Sequence, residues 1–477
     1  MRLTLAAIRL HLVIERSSPG LLVTIKSGSE GSNVRTSAVA RIAMMAVLMV
    51  ALLIPLMMIL GVVSERAGRR EEAAQQISEQ WGGAQTLAGP LLSVEFHTIE
   101  TNNSGKTQVI THRAFFLPAA LQIEAEAVPE IRRRGLFEVI VYRSRLKLTG
   151  RFAPPDFSPW RVEPGNVLGA TASLSVGVTD PRGIAGPIFL KWNGVDGTFV
   201  PGMPDTGAGL SGISANVALP EAPREMPFEI LLEINGTRDL RFTPVGNDTT
   251  VNLVSPWPHP SFSGAPLPKE RTVSAAGFTA SWMVPYYGRQ FPHSWTLGTI
   301  NREQHQKAFN QSSFGVGLIR PVDIYQQSER AVKYAALFVV MTFVIAFLWE
   351  VVHGVLVHPI QYLFIGFAMC VFYLLLLALS EHVGFDRSYV IAAVASGGLI
   401  SWYWNAVIRG GSRHGVLMGG VLAALYGYLY LLLRLEDYAL AAGSVGLFLM
   451  LAVVMFLTRR IDWYTLKLGR DATSDVG

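Results

Sequence analysis

The chain has 477 residues, 50% of them hydrophobic and only 16% charged. Soluble domains ordinarily carry about 25% charge, so an ordinary soluble protein is excluded. The net charge of +5 collects at the flanks of apolar segments, which argues against nucleic acid as a partner.

The first element is an uncharged run at 42–63, preceded by Arg2, Arg9, Arg16, Lys26, Arg35 and Arg41. A membrane-crossing helix needs about 20 apolar residues. The run is too long for the apolar part of a leader and no small-x-small site follows it, so it is expected to be an uncleaved anchor. The stretch before it reads either as an interfacial amphipathic segment or as the product of a start chosen too far upstream. Next comes "SERAGRREEAAQQISEQW" (64–81), which ends at Gly82-Gly83 and has Glu65 and Arg69 at helical i,i+4 spacing. It is expected to be a stalk continuing the first span.

The region 64–330 is a different material. It holds 23 of the 26 prolines, and proline is disfavoured inside helices. Short runs such as "LLSVEFHT", "LFEVIVYRSRLKLTGRF", "MPFEILLEING" and "GFTASWMV" alternate apolar and polar residues. That period of two, broken by turn residues, predicts half-buried strands. A large β-sandwich or two smaller β units would fit. The single cysteine, Cys370, lies outside this region, so the β domain stands without disulfides.

Five more uncharged runs close the chain, at 334–349, 359–380, 388–408, 415–433 and 438–458. The fold class is therefore a membrane α-helical bundle of about six spans with a large inserted all-β domain. Its divisions are a segment at 1–41, the first span at 42–63, the β domain with its stalk at 64–330, a five-helix bundle at 331–458 and a tail at 459–477. Lys and Arg favour the cytoplasmic side. They precede the first span, lie between the fourth and fifth at Arg409 and Arg413, and follow the sixth at Arg459, Arg460, Lys467 and Arg470. Both termini are therefore expected in the cytoplasm and the β domain in the periplasm.

Several motifs resemble the CreD family of inner-membrane proteins. They are "LAGPLLSV" (87–94), "SPWPHPSFSGAPLP" (255–268), "RAVKYAALFVVMTF" (330–343), "HPIQYLFIGFAMCVFYLLLLALSEHVGF" (358–385) and "LTRRIDWY" (457–464). They run in the family's order from about residue 40 to about 465. The resemblance implies a Gram-negative inner-membrane protein tied to envelope integrity, to a two-component envelope-stress and β-lactam response, and to tolerance of certain colicins. It supplies no catalytic residues.

Candidate sites follow from the residues. His358 and His382 are 24 positions apart, about 36 Å along a helix, and cannot share a ligand. Glu350, His353 and His358 cluster in sequence, and i,i+3 spacing can place a carboxylate and an imidazole on one helix face for a metal. The alternative is an interfacial helix end. Glu381 and His382 close the third span. A proton relay would need ionisable groups deep in the spans, which offer only Asn405, Thr342, serines and tyrosines. "WPHPSF" (257–262) either presents Trp257 and His259 to a partner or forms a stiff buried turn. Arg182 in "TDPRGI" could bind an anion but first reads as a turn residue. "RRRG" (132–135) reads as a solvated strand end. Gly419, Ala423 and Gly427 recur every four residues, which allows close helix packing.

No catalytic motif, metal site or cofactor site is expected. The leading expectation is a non-enzymatic envelope protein. Its partners would be membrane lipid and an envelope protein or peptidoglycan-linked component, with Trp257, His259, Glu381 and His382 as candidate contacts. Two alternatives are a transporter or flippase for a lipidic or neutral solute, and a membrane enzyme acting on lipid or peptidoglycan precursors.

Overall fold

The computed structural model describes residues 38–101, 107–320, 323–353, 357–408, 412–435 and 438–459. The expectations for residues 1–37 and for the tail from 460 onward lie outside the described residues.

Helix α1 (Ala38–Trp81) is continuous over 44 residues. At about 1.5 Å per residue it is roughly 66 Å long, more than twice the ~30 Å hydrocarbon thickness. The stalk is therefore the outer half of the first membrane helix. Pro55 lies within it, in the apolar half, where membrane helices tolerate proline. The helix stops at Gly82, whose φ of +118° and tight approach to the Asn235 carbonyl leave no place for a Cβ.

Strands follow in chain order. They are β1 (Gln85–Thr101), β2 (Thr107–Phe116), β3 (Ala120–Arg134), β4 (Phe137–Phe152), β5 (Val167–Val178) and β6 (Ile184–Trp192). Then come β7 (Val195–Gly197), β8 (Val200–Pro201), β9 (Ser211–Asn216), β10 (Met226–Thr237), β11 (Asp239–Thr243) and β12 (Asp248–Ser255). The last are β13 (Pro260–Gly264), β14 (Glu270–Ser274), β15 (Gly277–Pro285), β16 (Ser294–Thr296), the short helix α2 (Arg302–Gln311) and β17 (Phe314–Leu318). One sheet runs β13-β17-β11-β1-β5-β9-β8, with β2 beside β1 and β16 beside β2. The other runs β14-β15-β12-β3-β4-β10-β6-β7. Most pairings are antiparallel, but β1 with β11 and β12 with β3 are parallel.

Alternation explains the layers. In β3, Leu121, Ile123, Ala125 and Ala127 point inward while Gln122, Glu124 and Glu126 point out. In β10, Phe228, Ile230, Leu232 and Ile234 do the same. Period-two side chains leave each sheet one apolar face. The two faces share one continuous core that includes Leu92, Phe96, Leu148, Ile230, Phe242 and Trp282. The β region is thus one two-sheet unit rather than two smaller ones.

Trp282 is fully buried, with Phe314 at 5.5 Å and Phe262 at 5.9 Å between ring centroids, and its indole N–H finds no acceptor among the described residues. Trp282→Ala is expected to cost about 3–5 kcal/mol. Trp282→Phe should cost less, because it also removes the unpaired donor. Thermal denaturation of the detergent-solubilised chain checks both; equal losses would contradict the account.

The chain then enters α3 (Ile324–His353), α4 (Pro359–Val383), α5 (Phe385–Ile408), α6 (Ser412–Arg434) and α7 (Ala439–Thr458). With α1 these make six helices, among the described residues, long and apolar enough to cross a membrane. Position 330 falls inside α3, which starts at Ile324. A second apolar core joins α1 to α3, α4, α5 and α6 through residues such as Leu52, Phe338, Phe343, Phe372, Ile400 and Leu422. Gly366 of α4 lies so close to Leu52 of α1 that a Cβ there would collide with it, so the anchor is a packed member of the bundle.

Candidate functional site

The stalk is fastened to the β domain along its length. Ala74 and Ile77 pack on Val139 and Val141 of β4. Near the helix end, Ser78 Oγ lies 2.9 Å from Thr237 Oγ1, and the Trp81 indole N–H donates to the Tyr142 carbonyl at 3.2 Å. Glu71 takes both terminal nitrogens of Arg238, at 2.8 and 2.7 Å, the bidentate geometry that makes arginine–carboxylate pairs directional. Arg182 pairs with Asp180 and donates to the Glu79 carbonyl at 3.3 Å. The "TDPRGI" segment is therefore a one-turn helix, Pro181–Gly183, N-capped by Asp180, and its arginine is committed to the stalk.

Below this contact, α1, the β domain and the helix ends of α3 and α4 meet at an ionic junction. Arg70 reaches Asp323 at 2.5 Å, and Asp323 also accepts from the Tyr325 backbone N–H at 3.0 Å, capping α3. Arg66 lies 3.8 Å from Glu381 of α4, whose other oxygen accepts from the Tyr325 hydroxyl at 3.1 Å. On the β side, Glu138 is held by both Arg133 and Arg320. Burial raises the Glu138 carboxyl, and the two guanidiniums outweigh that, leaving it below its usual value. Phe137, at the start of β4, packs on the membrane core with its ring 6.4 Å from that of Tyr325.

Exposed ion pairs contribute about 0–1 kcal/mol each. Glu381 differs, because its side chain is only 7% exposed. Its neighbour His382 points out to the surroundings and donates Nδ1–H to the Ala378 carbonyl at 3.1 Å. Consecutive residues on a helix face about 100° apart, so the two candidates diverge. Trp257 is half-buried against the β core and donates to the Ile319 carbonyl at 3.0 Å. The backbone N–H of Ile319 in turn donates to the His259 carbonyl at 3.3 Å. "WPHPSF" thus binds the entry of β13 to the exit of β17, and the His259 side chain is exposed.

At the opposite end of the bundle, Glu350 lies in the last turn of α3 and is covered by protein. Glu350 is 2% exposed, paired with Arg41 of α1, and accepts from the Tyr362 hydroxyl at 2.9 Å. Glu350 directly follows the uncharged run 334–349 and Arg41 directly precedes that at 42–63, so the pair closes the two spans at their ends. The i,i+3 spacing does not gather a metal site. His353 stacks flat on Trp349 at 4.4 Å and faces His414 at 5.7 Å. His358 N-caps α4 in a reciprocal box with Gln361. Among the described residues no group of three His, Cys, Asp or Glu is placed to hold a metal.

The glycine stripe of α6 is only partly a packing seam. A Cβ on Gly419 would sit 3.1 Å from Ser401 of α5, whereas one on Gly427 would meet nothing. Ala423 and Gly427 are exposed, and with Gly397 and Gly398 they wall a shallow groove of about 520 Å³ between α5 and α6. "RRRG" also does more than end a strand, since the Arg132 guanidinium lies 3.7 Å over the Trp81 ring of the stalk.

Together these features define a class: a multi-pass α-helical membrane protein whose large two-sheet domain is inserted after the first span and braced by it. Residues 37–464 match the family described as "Inner membrane protein CreD". The chain belongs to the CreD family of inner-membrane proteins. It is 33% identical over 435 residues to the inner membrane protein CreD of Escherichia coli (strain K12), covering 89% of this chain and 94% of that one. Two solved structures of yeast LTA4 hydrolase, one with bestatin and one native, align over 75% of this chain and 69% of theirs. Their identities are 9% and 8%, and their TM-scores of 0.19 and 0.18 carry no inference about fold or chemistry.

Proposed function

We propose that this protein is a non-enzymatic component that supports envelope integrity, with the β domain in the periplasm, both termini in the cytoplasm, and the β domain contacting an envelope component. The observation that carries this reading is the bracing of the β domain by α1. One helix belongs to the bundle core and also packs through Ala74 and Ile77 on β4, and the Arg70–Asp323, Arg66–Glu381 and Arg238–Glu71 pairs lock it to both parts. Such a joint presents a folded surface at a fixed height above the bilayer and passes load between the two parts. The polar groups of the junction are engaged with one another, as a structural joint requires. The distribution of Lys and Arg supports the orientation.

The test has two parts. Alkaline phosphatase fused within 107–320 is expected to be active, and a fusion after Thr458 inactive; the reverse pattern overturns the orientation. With the full chain crosslinked in intact envelopes through the β domain, an envelope protein or a peptidoglycan fragment is expected to be recovered. Recovery of neither counts against the contact.

A further inference from the structure

The β3–β4 hairpin ends at the membrane surface. Its last pair is Arg134 with Phe137, and Gly135 makes the turn at φ +61°. The height of this tip can be fixed from the bundle. The uncharged run of α1 ends at Val63 and that of α4 at Ser380, and two charges just beyond them, Arg66 and Glu381, lie 3.8 Å apart. That contact marks the edge of the hydrocarbon. Tyr325 bonds Glu381, and Phe137 packs on Tyr325. The tip therefore stands at headgroup depth, against the ends of α3 and α4.

Its composition suits that depth. Leu136, an apolar side chain at the turn, is 54% exposed. Arg134 is exposed and pairs with no acid among the described residues, while Arg133 is 75% exposed beyond its contact with Glu138. The hairpin cannot swing away, because Arg132 stacks on Trp81 and β4 packs on the stalk. Beside the tip a cavity of about 350 Å³ opens, walled in part by Leu136, Phe137, Arg320, Tyr325 and Ser380.

We propose that this tip is a second membrane contact, a finger that buries Leu136 in the lipid interface and binds anionic phospholipid headgroups through Arg134 and Arg133. Interfacial loops gain from apolar burial and from attraction of Arg to lipid phosphate together. The inference holds whichever leaflet the β domain faces and does not depend on the envelope reading. It gives the β domain a fixed footing on the bilayer in addition to α1.

The test uses the full chain in vesicles of phosphatidylethanolamine and phosphatidylglycerol at 3:1. With Cys370 replaced by alanine, an environment-sensitive fluorophore is placed at Leu136→Cys or, as a control on the same domain, at Val195→Cys, a site 69% exposed. Nitroxide-labelled phospholipid is expected to quench the first several-fold more than the second. Equal quenching overturns the contact. At equal mole fraction, nitroxide phosphatidylglycerol should quench position 136 more than nitroxide phosphatidylcholine. Arg134→Gln should reduce that preference about five-fold, as expected for one arginine near an anionic surface. Absence of a lipid preference in the unsubstituted background overturns headgroup binding. A preference untouched by Arg134→Gln together with Arg133→Gln overturns the assignment to these residues.

Discussion

Arg41→Ala is expected to destabilise the protein by about 3–5 kcal/mol, the cost of breaking a buried ion pair from one side. The loss comes less from the missing attraction than from what remains. Glu350 is 2% exposed, and without Arg41 it keeps only the Tyr362 hydroxyl and backbone contacts in a low-dielectric bundle. Glu350→Ala should cost less. Arg41 is 15% exposed at the edge of its span, and a long arginine side chain there can reach water. The double substitution Arg41→Met with Glu350→Leu should recover most of the stability, since apolar residues of similar volume replace buried pairs at little cost. The measurement is the midpoint for loss of monodisperse, detergent-solubilised protein on heating. An Arg41→Ala midpoint equal to that of the unsubstituted chain would contradict the buried pair.

The second large effect is acid sensitivity of the β domain. His305 of α2 is 4% exposed among Phe291, Trp295 and Phe309, and burial lowers its pKa to about 4. His293 is lowered to about 4 by burial and by Arg289, whose Nη2 donates to its Nδ1 at 3.1 Å. Both are lowered on folding from an unfolded value of about 6.5, so between pH 6.5 and 4 the unfolded chain binds more protons. Stability is therefore full above about pH 6.5 and declines as the pH falls through 4. Each histidine accounts for about 3 kcal/mol at most. Protonation would also turn Nδ1 of His293 from acceptor to donor against Arg289. Arg289 itself is 8% exposed and holds the Val245 and Gly246 carbonyls and the Asn247 side chain. His305→Phe should flatten the decline, because a phenyl ring suits the aromatic surround and does not titrate. Thermal midpoints of the full chain from pH 7.5 to 4.5 check this. An unchanged slope in His305→Phe would remove His305 from the account.

Much of the architecture is legible locally. An apolar run long enough to span reports a membrane helix because the bilayer imposes a length, and the alternation in β3 reports a half-buried strand because the sheet imposes a period. What escaped local reading depends on partners far away in sequence. The i,i+3 spacing of Glu350 and His353 says that they share a helix face, but not that this face turns one of them toward Arg41, 309 positions earlier. Trp257 becomes a structural peg only through Ile319, 62 positions on. The helix α2 buries only His305 and Phe309, one i,i+4 pair, too short a stripe to stand out from a loop. The glycine pattern in α6 announces a close approach, yet half of it faces a groove, since spacing fixes which residues align but not whether a neighbour arrives. The parallel pairings of β1 with β11 and of β3 with β12 join segments that no short turn connects.

Because α1 runs unbroken from the bundle into the sheets, the azimuth of the β domain about the membrane normal is set by a whole number of residues, each worth about 100°. The helix works as a crankshaft with no universal joint. Any twist of the first span within the bilayer must appear as a swing of the sheets, and a lateral push on the sheets must return as torque on the span.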